Sequence, residues 1–236
     1  MRNLTILAVG AHPDDIEINC GGTLAKYSLA GAKVIMAHLL NGDKGHYSMD
    51  SAALAVMRKK ESENSGKIIG AESISLGIPD GQLFPDLETR IKIMDLVRSA
   101  KPDIILTHSP QDYMSDHTAT AQLVCDASFF AAVPLFKTGR AAQDKVAPIF
   151  FMDTVFGVNF LPTEYVDISD TFATKKEMLK QHQSQLIWLK EHNNTDILEG
   201  IESVACFRGF QCGVKYAECF QQYQAWGRGV TKRLLP

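Results

Sequence analysis

His12, Asp14 and Asp15 fall within a single short run, Ala-Val-Gly-Ala-His-Pro-Asp-Asp-Ile-Glu, directly after an apolar segment. Two adjacent carboxylates repel a phosphate and attract a cation. His12 and Asp15 lie three positions apart with Pro13 stiffening the turn, so both side chains can reach one point. Catalytic zinc commonly takes three nitrogen or oxygen ligands and leaves a fourth position for water. A carboxylate beside that water is what a general base requires, and Asp14 is placed for it. The same four residues would also make an ordinary polar turn, since Pro and Asp favour turns.

A second polar run, Thr-His-Ser-Pro-Gln-Asp-Tyr-Met-Ser-Asp-His, leads into an apolar-periodic segment. His117 in the first turn of the helix expected there could face the same crevice and complete a site of two histidines and one carboxylate. Asp116 fits the N-cap of that helix. Taken alone, a histidine such as His117 is more often a surface or core residue; the first run is what gives it a partner.

Both runs need a scaffold that brings them to one end. The segments 4–9, 34–40, 74–76, 104–107 and 149–155 are short and almost continuously apolar, as parallel strands covered on both faces are. Between them, residues 22–29, 52–69, 87–100 and 118–133 carry helical patterns, and Pro102 follows the third as a stop signal. Regular alternation of this kind predicts an α/β fold, Rossmann-like, with a mostly parallel sheet and helices on both faces. Ligands of such sheets bind beyond the carboxyl ends of the strands, where both polar runs fall. Further on, Ser169 or Asp170 could cap a helix reaching about Glu191, with His182 on its apolar face beside Phe172, Leu179, Leu186 and Leu189. The stretch from Cys206 to Phe220 gives no clear period. No linker or repeat interrupts the chain, and one domain over residues 1–236 is expected.

The chain has 236 residues, 45% hydrophobic and 22% charged, which suits one soluble globular unit. Its formal net charge is -3 with Lys and Arg scattered, so no basic stripe exists for nucleic acid or an anionic bilayer. A small-molecule partner is expected. No apolar run approaches the ~20 residues of a membrane span. The opening lacks a small-residue cleavage site and reads as a strand rather than a signal peptide. The five cysteines are odd in number and lack tight spacing, which predicts reduced thiols and a cytoplasmic protein.

Together these runs resemble the PIG-L/LmbE-like family of zinc N-deacetylases, which includes the deacetylases of mycothiol and bacillithiol biosynthesis. The likeness rests on Ala-His-Pro-Asp-Asp-Ile-Glu, on Gly21-Gly22-Thr23 and on Asp116-His117. Weaker matches are Arg58 to Glu61, Asp80 after Gly77-Ile78-Pro79, His182 with Ser184-Gln185, Phe207-Arg208-Gly209 and Ala217-Glu218. The resemblance implies a Rossmann-like fold and Zn2+ on His12, Asp15 and His117, with Asp14 as base. It also implies an acetylated amino sugar as substrate, and family members often associate as homo-oligomers. The same ligands would accept another divalent transition metal such as iron, cobalt or nickel.

One departure stands out. Where the family often has His-Pro-Asp-His, this chain has Met114-Ser115-Asp116-His117, and Met114 cannot donate a hydrogen bond to a developing oxyanion. Tyr113 and His182 are the candidate replacements, against plain readings as loop packing and a core histidine. Arg58 is expected either to steady Asp14 or grip a substrate hydroxyl, or else to be a solvated helix charge. A different small amide or ester, and a metal- or sugar-binding module without turnover, are the competing functions; an intact Asp14 argues against the module.

Overall fold

The computed structural model describes residues 4–230 and 232–236; Met1–Asn3, part of the opening read against a signal peptide, and Thr231 lie outside the described residues. Five strands run parallel: β1 (Thr5–Gly10), β2 (Lys33–Leu40), β3 (Glu72–Ile78), β4 (Ile104–Thr107) and β5 (Ile149–Met152). Two more, β6 (Glu164–Asp167) and β7 (Ala217–Gln222), complete a seven-stranded sheet in the order β3-β2-β1-β4-β5-β7-β6, with β7 antiparallel to both neighbours. The helices are α1 (Asp15–Leu29), α2 (Ser51–Ile68), α3 (Leu87–Ala100), α4 (Ser115–Phe130), α5 (Phe172–Leu179), α6 (Gln183–Asn193) and α7 (Ile197–Cys212).

The unbroken apolar strands split by period two into two cores. Leu7 and Val9 of β1, with Ile35 and Ala37 of β2, pack against Ile93 and Val97 of α3 and Leu123 of α4. Their neighbours Ile6, Ala8, Val34 and Met36 pack on the other face against Ile16 and Leu24 of α1 and Phe172 of α5. A sheet covered this way on both faces is what the expected fold class requires. The chain order reverses at β1, whose neighbours are β2 and β4, and a crevice opens there beyond the carboxyl ends.

The cores account for most boundaries, and three expectations need correction. First, α1 starts at Asp15 rather than Gly22. Its ladder is entered by the buried Glu218 of β7, which accepts the N–H groups of Gly22 (2.9 Å) and Thr23 (2.7 Å). Lys175 takes the freed Ile18 carbonyl at 2.8 Å and pairs with Glu218 at 2.6 Å. Second, the strand expected over 149–155 ends at Met152, because Asp153 turns back to Arg208 of α7 at 2.7 Å and a single 3-10 turn follows at Val155–Gly157.

Third, the helix expected to about Glu191 is two helices. Neither Ser169 nor Asp170 caps it; Thr171 occupies that position without a side-chain cap. The break falls at Lys180–His182, where inward contacts win over helix continuity. His182 turns to Glu17 at 3.0 Å, and Ser184 gives its N–H and hydroxyl to Glu61 at 2.8 and 2.6 Å. His182 is therefore buried in a polar cluster and not on an apolar helix face.

His38 on β2 is fully buried and neither ring nitrogen has a hydrogen-bond partner. Burial pushes its pKa down from 6.5 to about 4, more than Glu17 can restore. The group is neutral when folded and protonates when unfolded, so its stability contribution is full above pH 6.5 and is lost as pH falls toward 4. At about 1.4 kcal/mol per pKa unit this amounts to roughly 3 kcal/mol. Chemical denaturation at a series of pH values should show a shallower acid-side decline in His38→Leu than in the parent chain.

Candidate metal centre and base

β1 delivers His12 to Asp15 at the crevice, and β4 delivers His108 to His117, because the two strands pair with Val9 opposite Thr107. One donor atom each from His12, Asp15 and His117 lie within 4.8 Å of one another. His12 Nδ1 is 3.3 Å from Asp15 Oδ2, and His117 Nε2 is 3.4 Å from Asp15 Oδ1. The His12 N–H donates to Asp15 Oδ2 at 2.6 Å, which fixes that carboxylate across the turn.

Asp112 faces the other ring nitrogen of His117, Nδ1, at 3.0 Å. An Nδ1–H donated to Asp112 leaves the Nε2 lone pair aimed at the crevice, the arrangement that second-sphere carboxylates impose on metal-binding histidines. His117 Nε2 is buried with no hydrogen-bond partner. His108 stacks on His117 with ring centroids 3.9 Å apart, and its own Nε2 accepts the Ala11 N–H at 3.0 Å. His108, Asp112 and His117 also cluster closely enough for a metal. In that second group His108 Nε2 is taken by the Ala11 N–H, Asp112 pairs with His117 Nδ1 and all three residues are buried, whereas the first group includes the part-exposed His12 at the crevice.

Electrostatics at His12, Asp15 and His117 favour a cation. Burial disfavours charge on His12, yet Asp116 and Asp15 outweigh it and raise its pKa to about 10. The same contest at His117, with Asp15 and Asp112 opposing burial, ends at about 9. Burial likewise opposes charge on Asp15, and the imidazoles of His117 and His108 hold its pKa well below the usual range. The pocket thus calls for positive charge at one point, which a divalent ion supplies by displacing those protons. An unpartnered imidazole nitrogen, a second histidine and a carboxylate fit such an ion in number and kind.

Asp14 sits beside these donors, 7% exposed. Burial raises its pKa to about 6 against the pull of Arg58. Arg58 reaches over from α2, buried rather than solvated: one nitrogen is 3.2 Å from Asp14 Oδ2 and also bonds the Pro13 carbonyl, and the other bonds the Gly42 carbonyl at 3.3 Å. Gly42 has φ 73°, and a Cβ there would stand 2.5 Å from the Arg58 side chain, so glycine is required for the guanidinium to enter.

The Asp14 backbone itself is unusual, with φ 122° and ψ -26°. An L-residue held there costs about 1–3 kcal/mol. Asp14→Gly and Asp14→Ala both delete the carboxylate, and only glycine relieves the backbone. Asp14→Gly should therefore be the more stable of the two by about 1 kcal/mol in matched denaturant titrations.

The remaining residues singled out from the sequence divide. Asp116 is not the N-cap of α4; Met114 holds that position, and Asp116 lies in the first turn, bonding His12 Nε2 at 3.3 Å and the Gly81 N–H at 3.0 Å. Tyr113, half-exposed, and Met114 line a cavity of about 340 Å³ over the centre, with Asp14, Asp80, Arg58, Phe156, Gln185 and Ile197. His182 does not line it. Sequence reasoning missed Asp112 and His108, although both lie in the quoted run before His117, and it missed Glu17 under His182.

Residues 7–128 match the family model described as PIG-L, GlcNAc-PI de-N-acetylase. Among curated relatives, diacetylchitobiose deacetylase of Thermococcus kodakarensis is 28% identical over 226 residues, covering 90% of this chain and 80% of the relative. The 4-oxalmesaconate hydratase of Pseudomonas putida is 27% identical over 142 residues, covering 57% of this chain and 55% of the relative. Among solved structures, the N,N'-diacetylchitobiose deacetylase of Pyrococcus horikoshii, complexed with an inhibitor, superposes with a TM-score of 0.79 at 29% identity. That match covers 92% of this chain and 83% of the other.

Proposed function

As the chain belongs to the PIG-L family of GlcNAc-PI de-N-acetylases, we propose that it is a zinc-dependent N-deacetylase that hydrolyses the acetamide of an N-acetylglucosaminyl compound. The observation that carries this is the convergence of His12, Asp15 and the unpartnered His117 Nε2 beside a buried Asp14, under a cavity of sugar size. The chain acts as one deacetylase domain over residues 1–236, a reading supported by the single sheet that spans both halves. Its five free cysteines suit a reducing, cytoplasmic setting.

His12, Asp15 and His117 would hold the zinc, with Asp112 fixing His117. A metal there supplies Lewis acidity toward the acetamide carbonyl and makes water acidic enough to react near neutral pH. Asp14 takes a proton from the attacking water on the carboxylate oxygen that Arg58 does not hold. It then returns that proton to the departing amine as the carbon–nitrogen bond breaks. Arg58 keeps the carboxylate oriented and ionised between turnovers. With Met114 unable to donate and His182 committed to Glu17, the Tyr113 hydroxyl is one side-chain donor at the cavity wall that could serve the developing oxyanion.

Hydration of an unsaturated acid, the reaction named for the Pseudomonas relative, would use a similar centre. The cavity argues against it. Asp14, Asp15 and Asp80 line the wall, while Arg58, the only Lys or Arg among the described lining residues, is spent on Asp14 and two carbonyls. A divalent ion and Arg58 offset those carboxylates. With Arg58 already committed, no free Lys or Arg among the described lining residues remains to pair a substrate carboxylate, which favours a neutral acetamido sugar. Zinc-loaded protein offered N-acetylglucosamine derivatives, simple acyl amides and 4-oxalmesaconate in parallel should release acetate from the sugars. Turnover of only the unsaturated acid would overturn the proposal.

A further inference from the structure

A helix lying on a protein core normally seats on an apolar stripe, and α2 does not. Its buried residues are Leu54, Arg58, Glu61, Ser62, Ser65 and Gly66, with Leu54 the one large apolar side chain among them. Apolar burial is non-directional, whereas a hydrogen bond fixes both distance and angle. Where α2 sits, and with it the Arg58 guanidinium, is therefore set largely by polar contacts.

Those contacts converge on the break between α5 and α6. His182 Nε2 lies 3.0 Å from Oε1 of Glu17, three residues after Asp14. Ser184 gives its N–H and hydroxyl to Glu61, three residues after Arg58, at 2.8 and 2.6 Å. Gln185 donates to the Gly45 carbonyl at 3.3 Å, in the loop that leads into α2. Ser65 of α2 closes the figure on the same Glu17 oxygen at 2.6 Å. In an unbroken helix His182 and Ser184 would point about 200° apart, at about 100° per residue. Only the break lets both turn inward. The chain gives up helical continuity for these ties, yet neither His182 nor Ser184 lines the cavity.

We propose that His182, Ser184 and Gln185 form a three-point brace that sets α1 and α2 at the separation the Asp14–Arg58 pair requires, acting on turnover as positioning residues through Arg58. Asp14 stands at the head of α1 and Arg58 within α2, 3.2 Å apart, so a small shift of either helix changes the contact. Misplacement by about 1 Å can cost about a hundredfold in rate. The inference rests on the reading of Asp14 as the base of an N-deacetylase, so its test has one arm with turnover and one without.

Ser184→Ala deletes the hydroxyl tie and keeps the N–H tie. With zinc-loaded protein and an N-acetylglucosamine derivative it should lower kcat about tenfold, leaving KM and metal content within about twofold of the parent. Beside Arg58→Ala, whose residual turnover lacks the guanidinium, Ser184→Ala should change kcat by less than about twofold. His182→Leu should resemble Ser184→Ala, and His182→Gln, which keeps a nitrogen donor toward Glu17, should recover most of the rate. The arm without turnover is urea unfolding. The midpoint shift caused by Arg58→Ala should fall by about half in the Ser184→Ala chain, because the pair being removed is already loosened, whereas unconnected sites would add.

A kcat loss from Ser184→Ala that persists undiminished beside Arg58→Ala would overturn the brace, as would a raised KM at constant kcat. Additive midpoint shifts in a chain that releases acetate would overturn it too and leave the deacetylase reading standing. Coupled midpoint shifts in a chain that releases no acetate from any sugar would support the brace and sink the deacetylase reading.

Discussion

Asp14→Asn is expected to lower kcat by about 10²–10⁴-fold while the purified protein keeps its metal. The substitution preserves size and the Arg58 contact site but removes the group that can carry a proton. The proposed metal donors His12, Asp15 and His117 are untouched, so metal content by mass spectrometry should match that of the parent chain. Because the loss falls on a step after binding, KM for an acetamido sugar should change far less than kcat. Full activity in Asp14→Asn would remove Asp14 from the base role. Loss of metal along with activity would instead make Asp14 a ligand.

Replacing either histidine donor should have the opposite signature. His12→Ala and His117→Ala are each expected to lose both the bound metal, about one per chain, and acetate release. Neither should recover on dialysis against modest zinc. Asp112 offers a graded companion. It reaches no substrate, and its pairing with His117 Nδ1 at 3.0 Å orients the ring. Asp112→Ala should weaken metal affinity by about 10–100-fold, the usual cost of removing a partner behind a metal-bound histidine. Excess zinc should then restore turnover in Asp112→Ala and not in His117→Ala. Parent protein without metal, even after reconstitution, would defeat the metal centre altogether.

The alternating sheet is readable because β1, β2, β4 and β5 are buried on both faces over nearly their whole length and so are mostly apolar, His38 and Thr107 being buried exceptions. The candidate site is legible as a cluster where polar groups crowd one loop, as at His12, Asp14 and Asp15, and where a strand end and a helix start bracket His117. What escapes the sequence depends on contacts between distant segments. Nothing local to residues 169–191 announces that His182 will turn inward to Glu17 and split a helix. Nor does Glu218, 196 residues from Gly22, reveal that it will enter the α1 ladder. β6 is four residues long, with only Val166 fully buried, too little for a period to register.

The pairing of β1 with β4 has a thermodynamic consequence. The donors on residues 12–15 and 112–117 are separated by about a hundred positions and meet only when the centre of the sheet is assembled. An unfolded chain offers no comparable site, so a bound ion acts as a ligand of the folded state alone. At a free concentration a thousandfold above its dissociation constant it adds about 4 kcal/mol to the unfolding free energy, comparable to a sizeable share of a domain's whole stability. With the proposed ion bound, chelation would withdraw a catalytic part and a fastening across the middle strands in one act, and unfolding and release of the ion would become a single coupled event.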